Sequence, residues 1–145
     1  MKGRILAVDP GEKRIGLAIS DPTGTIASPY KVLNHVSRLV DAAQIAQLAQ
    51  VQEAICIIVG RSLDDDGEAG PSARKAQRLA EAVRTQTSLP VEYWDETGTT
   101  NAAQAARFSM GVKRQKRSGH LDDLAAVIIL QSFLDAQDSL NSGKR

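Results

Sequence analysis

Ile5-Leu6-Ala7-Val8-Asp9-Pro10-Gly11 is a short apolar run that stops at an acid and a turn. Four consecutive apolar residues closed by Pro-Gly read as a buried strand rather than a helix. Ile15-Gly16-Leu17-Ala18-Ile19 follows at once as a second strand. Asp21-Pro22-Thr23-Gly24 is turn chemistry, and Thr25 to Leu33 returns as a third strand, with a break expected at Pro29. The opening third of the chain therefore reads as an antiparallel meander.

Beyond it the period changes. Val36, Leu39, Val40, Ala43, Ala46 and Leu48 recur at three- and four-residue spacing, which predicts a helix to Ala49 with these residues on its apolar stripe. Ala54 to Val59 is a continuous run closed by Gly60, the pattern of a strand buried on both faces. A polar loop from Arg61 to Pro71 leads to a helix over Ala73 to Thr87, and Pro90 to Trp94 forms a further strand ending in Asp95-Glu96. Thr99 or Thr100 caps a helix to about Phe108, Gly111 to Gly119 is a basic connector, and Leu121 to Ala136 is a strongly apolar helix. The order is β-β-β-α-β-α-β-α-α. Strands alternating with helices require parallel pairing in the second half. The expected α/β fold is a mixed five-stranded sheet, an antiparallel meander plus parallel strands, flanked by helices. A single domain is expected over residues 1–138, with a frayed tail over 139–145.

Composition bounds the function. The chain has 145 residues with 42% hydrophobic and 24% charged, a globular balance sized for one domain. Its 18 basic and 17 acidic residues nearly cancel, which argues against coating nucleic acid by bulk charge but permits a local basic patch. One cysteine, Cys56, excludes an internal disulfide framework and a multi-cysteine zinc site, and its place in an apolar strand makes it an inert core residue. No apolar run approaches the ~20 residues of a membrane span. The start, Met1-Lys2-Gly3-Arg4, leads directly into a strand without a signal peptide. A reduced, cytoplasmic setting without membrane association is the expectation. Aromatics are only 3%, too few for a base-stacking platform.

In an open α/β sheet, sites form beyond the carboxyl ends of the parallel strands. The first strand ends at Asp9, the strand after the first helix at Gly60, and the last at Asp95-Glu96. If the first and last strands flank the one between, Asp9 and Glu96 share an edge. The final helix offers a third acid. Asp122 precedes Ala125, Ala126, Ile129 and Phe133 on one stripe, and Asp123 has a comparable stripe, so periodicity leaves both open. Each acid also has an ordinary role, as a turn, a solvated strand end or a helix cap worth ~0.3–1 kcal/mol. Their conjunction is what points to chemistry. Three carboxylates at one edge repel unless a cation lies among them, and oxygen ligands without His or Cys select Mg²⁺ or Mn²⁺. Such sites suit phosphodiester hydrolysis, in which two ions ~3.5–4 Å apart hold the attacking and leaving oxygens.

Four blocks of this sequence resemble the YqgF family, provisionally described as pre-16S rRNA nucleases and also as Holliday-junction-resolvase-like proteins. They are Leu6 to Asp21, which is similar to an Asp-x-Gly-x-Lys-Arg-x-Gly-x-Ala signature; Val59-Gly60 with Asp66-Gly67 and Gly70-Pro71; Asp95-Glu96 with Thr99-Thr100; and Lys113 to Arg117 followed by Asp122, Ala125-Ala126 and Ile128 to Leu130. The resemblance runs from about Arg4 to Asp135. It implies a ribonuclease-H-like fold, a metal-dependent nuclease, and Asp9, Glu96 and Asp122 as the acids that hold Mg²⁺ or Mn²⁺; it decides for Asp122 over Asp123. It also implies a structured RNA substrate, pre-16S rRNA, with ribosomal particles as partners, and leaves a monomer or a dimer open.

Two departures bear on rate and substrate. Thr97-Gly98 replaces the family's arginine and its apolar neighbour after Glu96, and Arg61-Ser62 replaces Leu-Pro after Gly60. Arg61 is the residue expected to restore the missing charge from a neighbouring strand end. Lys13 and Arg14, just past Asp9, and Lys113, Arg114, Lys116 and Arg117, just before Asp122, are the other candidate phosphate contacts. Ala125 stands where resolvases of similar fold carry a fourth acid. A DNA junction resolvase, a non-catalytic RNA- or ribosome-docking module and a single-lobed phosphotransferase are the rival readings, in that order.

Overall fold

The computed structural model describes residues 3–62, 70–96 and 121–143. The elements are β1 (Arg4–Pro10), β2 (Arg14–Ser20), β3 (Ala27–Asn34), α1 (Arg38–Val51), β4 (Ala54–Ser62), α2 (Pro71–Arg84), β5 (Val91–Glu96) and α3 (Leu121–Gly143). The helix expected to start at Thr99 or Thr100 and the basic connector lie outside the described residues. The strands form one five-stranded sheet in the order β3-β2-β1-β4-β5. β1–β2 and β2–β3 are antiparallel, whereas β1–β4 and β4–β5 are parallel. The mixed sheet is thus the expected one, and β4 is the strand between β1 and β5. Pro29 does not break β3: it pairs with Ala18 beside a register shift on an edge strand, where its missing N–H breaks no sheet ladder.

Alternation along each strand divides the core in two. Leu6, Val8, Ile57, Val59 and Val91 pack under α1 and α2. Ile5, Ala7, Cys56 and Ile58 pack under α3 against Ala126, Ile129, Leu130 and Phe133. The Cys56 thiol lies in this second layer, where burial first and the charge of Glu92 second push its pKa up to about 11, so it stays protonated and inert.

α1 differs from expectation. Val36, Leu39, Val40 and Ala43 are exposed, and the buried face is Asp41, Ala42, Ile45, Ala46 and Ala49. A polar contact sets this rotation. Asp41 is 1% exposed; its carboxylate accepts a 2.5 Å hydrogen bond from His35 Nδ1 and a 3.0 Å bond from the Val36 N–H. Ser37 caps the helix by accepting from the Val40 N–H.

Other charged side chains bolt elements together. Arg84, in the last turn of α2, donates twice to the Val91 carbonyl at 3.0 and 2.6 Å. Asp21 accepts backbone N–H bonds from Ile26, Thr25 and Thr23, and the Thr23 hydroxyl, across the β2–β3 turn, which hold its carboxyl well below the usual range. α3 continues to Gly143, past the end expected at Ala136, since no proline or glycine intervenes before Gly143. Among the described residues, no helix is long and apolar enough to cross a membrane.

Candidate active site

Asp9 is the next-to-last residue of β1, at the carboxyl edge of the parallel half of the sheet. It shares the parity of Ile5 and Ala7 and therefore belongs to the α3 face. Its cross-strand partner on β2 is Gly16. On β4 the pairing of Val8 with Val59 puts Gly60 at its level. The carboxylate is partly exposed and flanked on both neighbouring strands by residues without side chains. A carboxylate at this edge is a hard oxygen donor, the chemistry that suits Mg²⁺ or Mn²⁺.

Glu96 closes β5, in register with Ser62 on β4. One strand separates it from Asp9, a lateral distance of roughly 10 Å at ~4.8 Å per strand. It has the parity of Trp94, a residue of the α3 face. Asp122 lies in the first turn of α3, two turns before Ile129. For Glu96 and Asp122 the structure describes the backbone. Among the described side chains, no three His, Cys, Asp or Glu residues form a metal-holding group.

The seating of α3 links these strand ends. Ile129 packs against Gly60 so closely that a Cβ on the glycine would lie 2.4 Å from Ile129 Cδ1. Phe133 meets Trp94 edge-on at 5.3 Å, and Trp94 Nε1 donates to Ser132 Oγ at 3.1 Å. The helix that carries Asp122 is therefore anchored on the strand beside Asp9 and on the strand that ends in Glu96. Trp94 is a packing residue here.

The cations divide. Lys13 and Arg14 are exposed at the β1–β2 turn, next to Asp9. The turn needs Gly11, because a Cβ there would lie 2.2 Å from the Arg14 carbonyl oxygen. Lys113, Arg114, Lys116 and Arg117 lie outside the described residues. Arg61 does not join Asp9. It is one residue past Gly60 and so faces the α2 side of the sheet, where it donates to Asp95 at 2.6 and 3.0 Å and stacks 4.7 Å from the Tyr93 ring. The hydrogen bonds to Asp95 push its pKa up further. Replacing Arg61 by glutamine is expected to lower Tm by a few degrees, since a half-exposed pair and a cation–π contact are each worth at most ~1 kcal/mol. The salt dependence of nucleic-acid binding should be unchanged. A slope shallower by about one would put Arg61 back among the phosphate contacts.

Three features at this edge carry little signal in the sequence. Gly16 and Gly60 matter through their register with Asp9, which no local pattern discloses. Lys75, on α2, donates to the Gly11 carbonyl at 3.0 Å and ties that helix to the turn; it lies among Arg74 and Arg78, and nothing local sets it apart.

A family model described as RuvX, Holliday junction resolvase, matches residues 3–136. A Roseiflexus protein provisionally named pre-16S rRNA nuclease is 37% identical over 135 residues, covering 93% of this chain and 96% of the relative. A Chloroflexus aurantiacus protein of the same name is 42% identical over 135 residues, covering 93% and 88%. Among solved structures, T. thermophilus RuvC in complex with a Holliday junction substrate superposes with a TM-score of 0.61 at 16% identity, covering 94% of this chain and 96% of that one. The fowlpox virus Holliday junction resolvase gives 0.56 at 20% identity, covering 92% and 99%. The fold is thus the ribonuclease-H-like fold of these resolvases. With the family model matching nearly its whole length and relatives 37–42% identical, the chain belongs to the RuvX family, the YqgF family that its sequence resembles.

Proposed function

We propose that this chain is a metal-dependent nuclease that hydrolyses phosphodiester bonds in structured RNA, acting on the 5′ end of pre-16S rRNA during ribosome biogenesis in the cytoplasm. The observation that carries this reading is Asp9, level with Gly16 and Gly60, on the same sheet edge as the end of β5. Membership of a nuclease family and the name of the Roseiflexus and Chloroflexus relatives support it. Asp9, Glu96 and Asp122 would hold Mg²⁺ or Mn²⁺, since oxygen donors alone suit hard cations. When bound, such an ion polarises the phosphoryl oxygen and lowers the pKa of water. The chain's own cations do the rest: Lys13 and Arg14 hold the substrate backbone beside Asp9, with Lys113, Arg114, Lys116 and Arg117 extending that contact.

The family description favours one second reading, a DNA junction resolvase, which requires two sites and hence a dimer. Purified protein is tested on an rRNA-precursor fragment and on a four-way DNA junction, with Mn²⁺, with Mg²⁺ and with chelator. Cutting of the RNA, abolished by chelator, is the expected result. Cutting of the junction alone overturns it in favour of the resolvase, and binding without cutting leaves an RNA- or ribosome-docking module.

A further inference from the structure

Behind the β1–β2 turn, on the α1 and α2 side of the sheet, lies a cavity of about 230 Å³. It is lined by Pro10, Gly11, His35, Arg38, Asp41 and Lys75, with Ile15 and Leu79 at its floor. We infer that it binds a phosphate of the nucleic-acid backbone, an inference that rests on the nuclease reading.

Two cationic side chains and a histidine reach it from three elements. Lys75 comes from α2 and spends one of its three N–H donors on the Gly11 carbonyl. Arg38 opens α1 and is exposed. His35 follows β3, and its orientation is fixed rather than adaptable. The buried Asp41 accepts from Nδ1, so that nitrogen carries a proton and Nε2 is left as the other hydrogen-bonding atom of the ring. The His35 backbone N–H donates to the Lys13 carbonyl at 2.9 Å, which locks this residue to the turn that follows Asp9.

The acids on this rim do not cancel the site. Two cations, Lys75 and Arg38, stand against one carboxylate, Asp41, whose oxygens are turned to His35 and to the Val36 N–H. Glu12 points its charge from an exposed turn that also carries Lys13 and Arg14. At ~30 Å³ per liquid water, the cavity holds several waters or one tetrahedral anion with part of its shell. Pro10 and Gly11, the next two residues after Asp9, form its rim, within ~8 Å of Asp9 Cα at 3.8 Å per residue. A strand whose scissile phosphate lies at Asp9 can therefore cross the turn, over Lys13 and Arg14, and place a neighbouring phosphate here.

The test is equilibrium binding of the full chain to a structured rRNA-precursor fragment in chelator, over a salt series. Arg38→Gln is expected to weaken binding roughly threefold to tenfold at low salt and to make the log–log salt slope shallower by about one, while Arg38→Lys keeps the slope. In parallel, inorganic phosphate should shift the His35 imidazole ¹⁵N signals of the wild type. Superimposable binding curves for Arg38→Gln overturn the inference. So does a His35 response to inorganic phosphate with RNA binding indifferent to Arg38, which would make this a free-phosphate site. If no metal supports cleavage and Arg38→Gln still changes the slope, the nuclease reading falls and the backbone-phosphate site stands.

Discussion

Replacing Asp9 by asparagine is expected to abolish cleavage while the fold stays intact. Asparagine matches the carboxylate in shape but brings no charge. On the nuclease reading, Asp9 contributes several kcal/mol of charge stabilisation through a bound ion, and ~4 kcal/mol corresponds to ~10³ in rate. Its position makes the substitution structurally mild. The residue is partly exposed at a strand end, level with Gly16 and Gly60 on the neighbouring strands. Tm without metal should fall by a few degrees at most, because an isosteric change at a partly exposed strand end costs about 1 kcal/mol.

A second readout separates metal holding from chemistry. A ligand that binds only the folded state adds ~2.7 kcal/mol of stability at a hundred times its Kd. Mn²⁺ or Mg²⁺ should therefore raise the wild-type Tm and leave that of Asp9→Asn unmoved. Undiminished cutting by pure Asp9→Asn protein defeats the assignment of Asp9. Lost cutting with the metal-induced rise preserved would make it a substrate contact instead.

The sequence discloses the strands of this protein better than its faces. Ile5 to Val8 and Ile15 to Ile19 are legible because a run of apolar residues closed by a turn has few alternatives. The place of β4 between β1 and β5 was a condition there and is an observation here. α1 shows what periodicity cannot do. Its apolar residues lie all round, so spacing favoured Val36, Leu39, Val40 and Ala43, whereas a buried aspartate turns Ala42, Ile45 and Ala49 inward. No hydrophobic pattern flags an acid as a core residue. Arg61 illustrates the same point for a strand. Adjacent to Gly60 in sequence, it stands on the opposite face from Asp9, and that follows only from the β1–β4 register. The acids are proposed from the sequence as a conjunction, and the family resemblance, rather than spacing, selects Asp122.

Adding one methyl group at Gly60 should cost both stability and rate. The new Cβ of Gly60→Ala would lie 2.4 Å from Ile129 Cδ1 and 3.1 Å from Cγ1, and Ile129 is only 1% exposed. Overpacking of this kind costs ~1–3 kcal/mol, about 3–10 °C in a domain of this size. The relief available is for α3 to lift from β4. That helix carries Asp122 about 10 Å upstream of Ile129 along its axis, at 1.5 Å per residue. A misplacement near 1 Å can cost ~10² in rate, so, on the proposal that Asp122 holds the metal, kcat should fall by at least tenfold beyond what the lost stability explains at low temperature. Ile129→Val removes Cδ1, the atom in closest conflict, and alone costs ~0.5–1.5 kcal/mol. Combined with Gly60→Ala it should restore most of the Tm and kcat, with a coupling of ~1 kcal/mol or more in the double-mutant cycle. Strictly additive losses would show that α3 is not seated through this contact. A destabilised Gly60→Ala enzyme with wild-type kcat would show that the helix seat and the catalytic edge are independent.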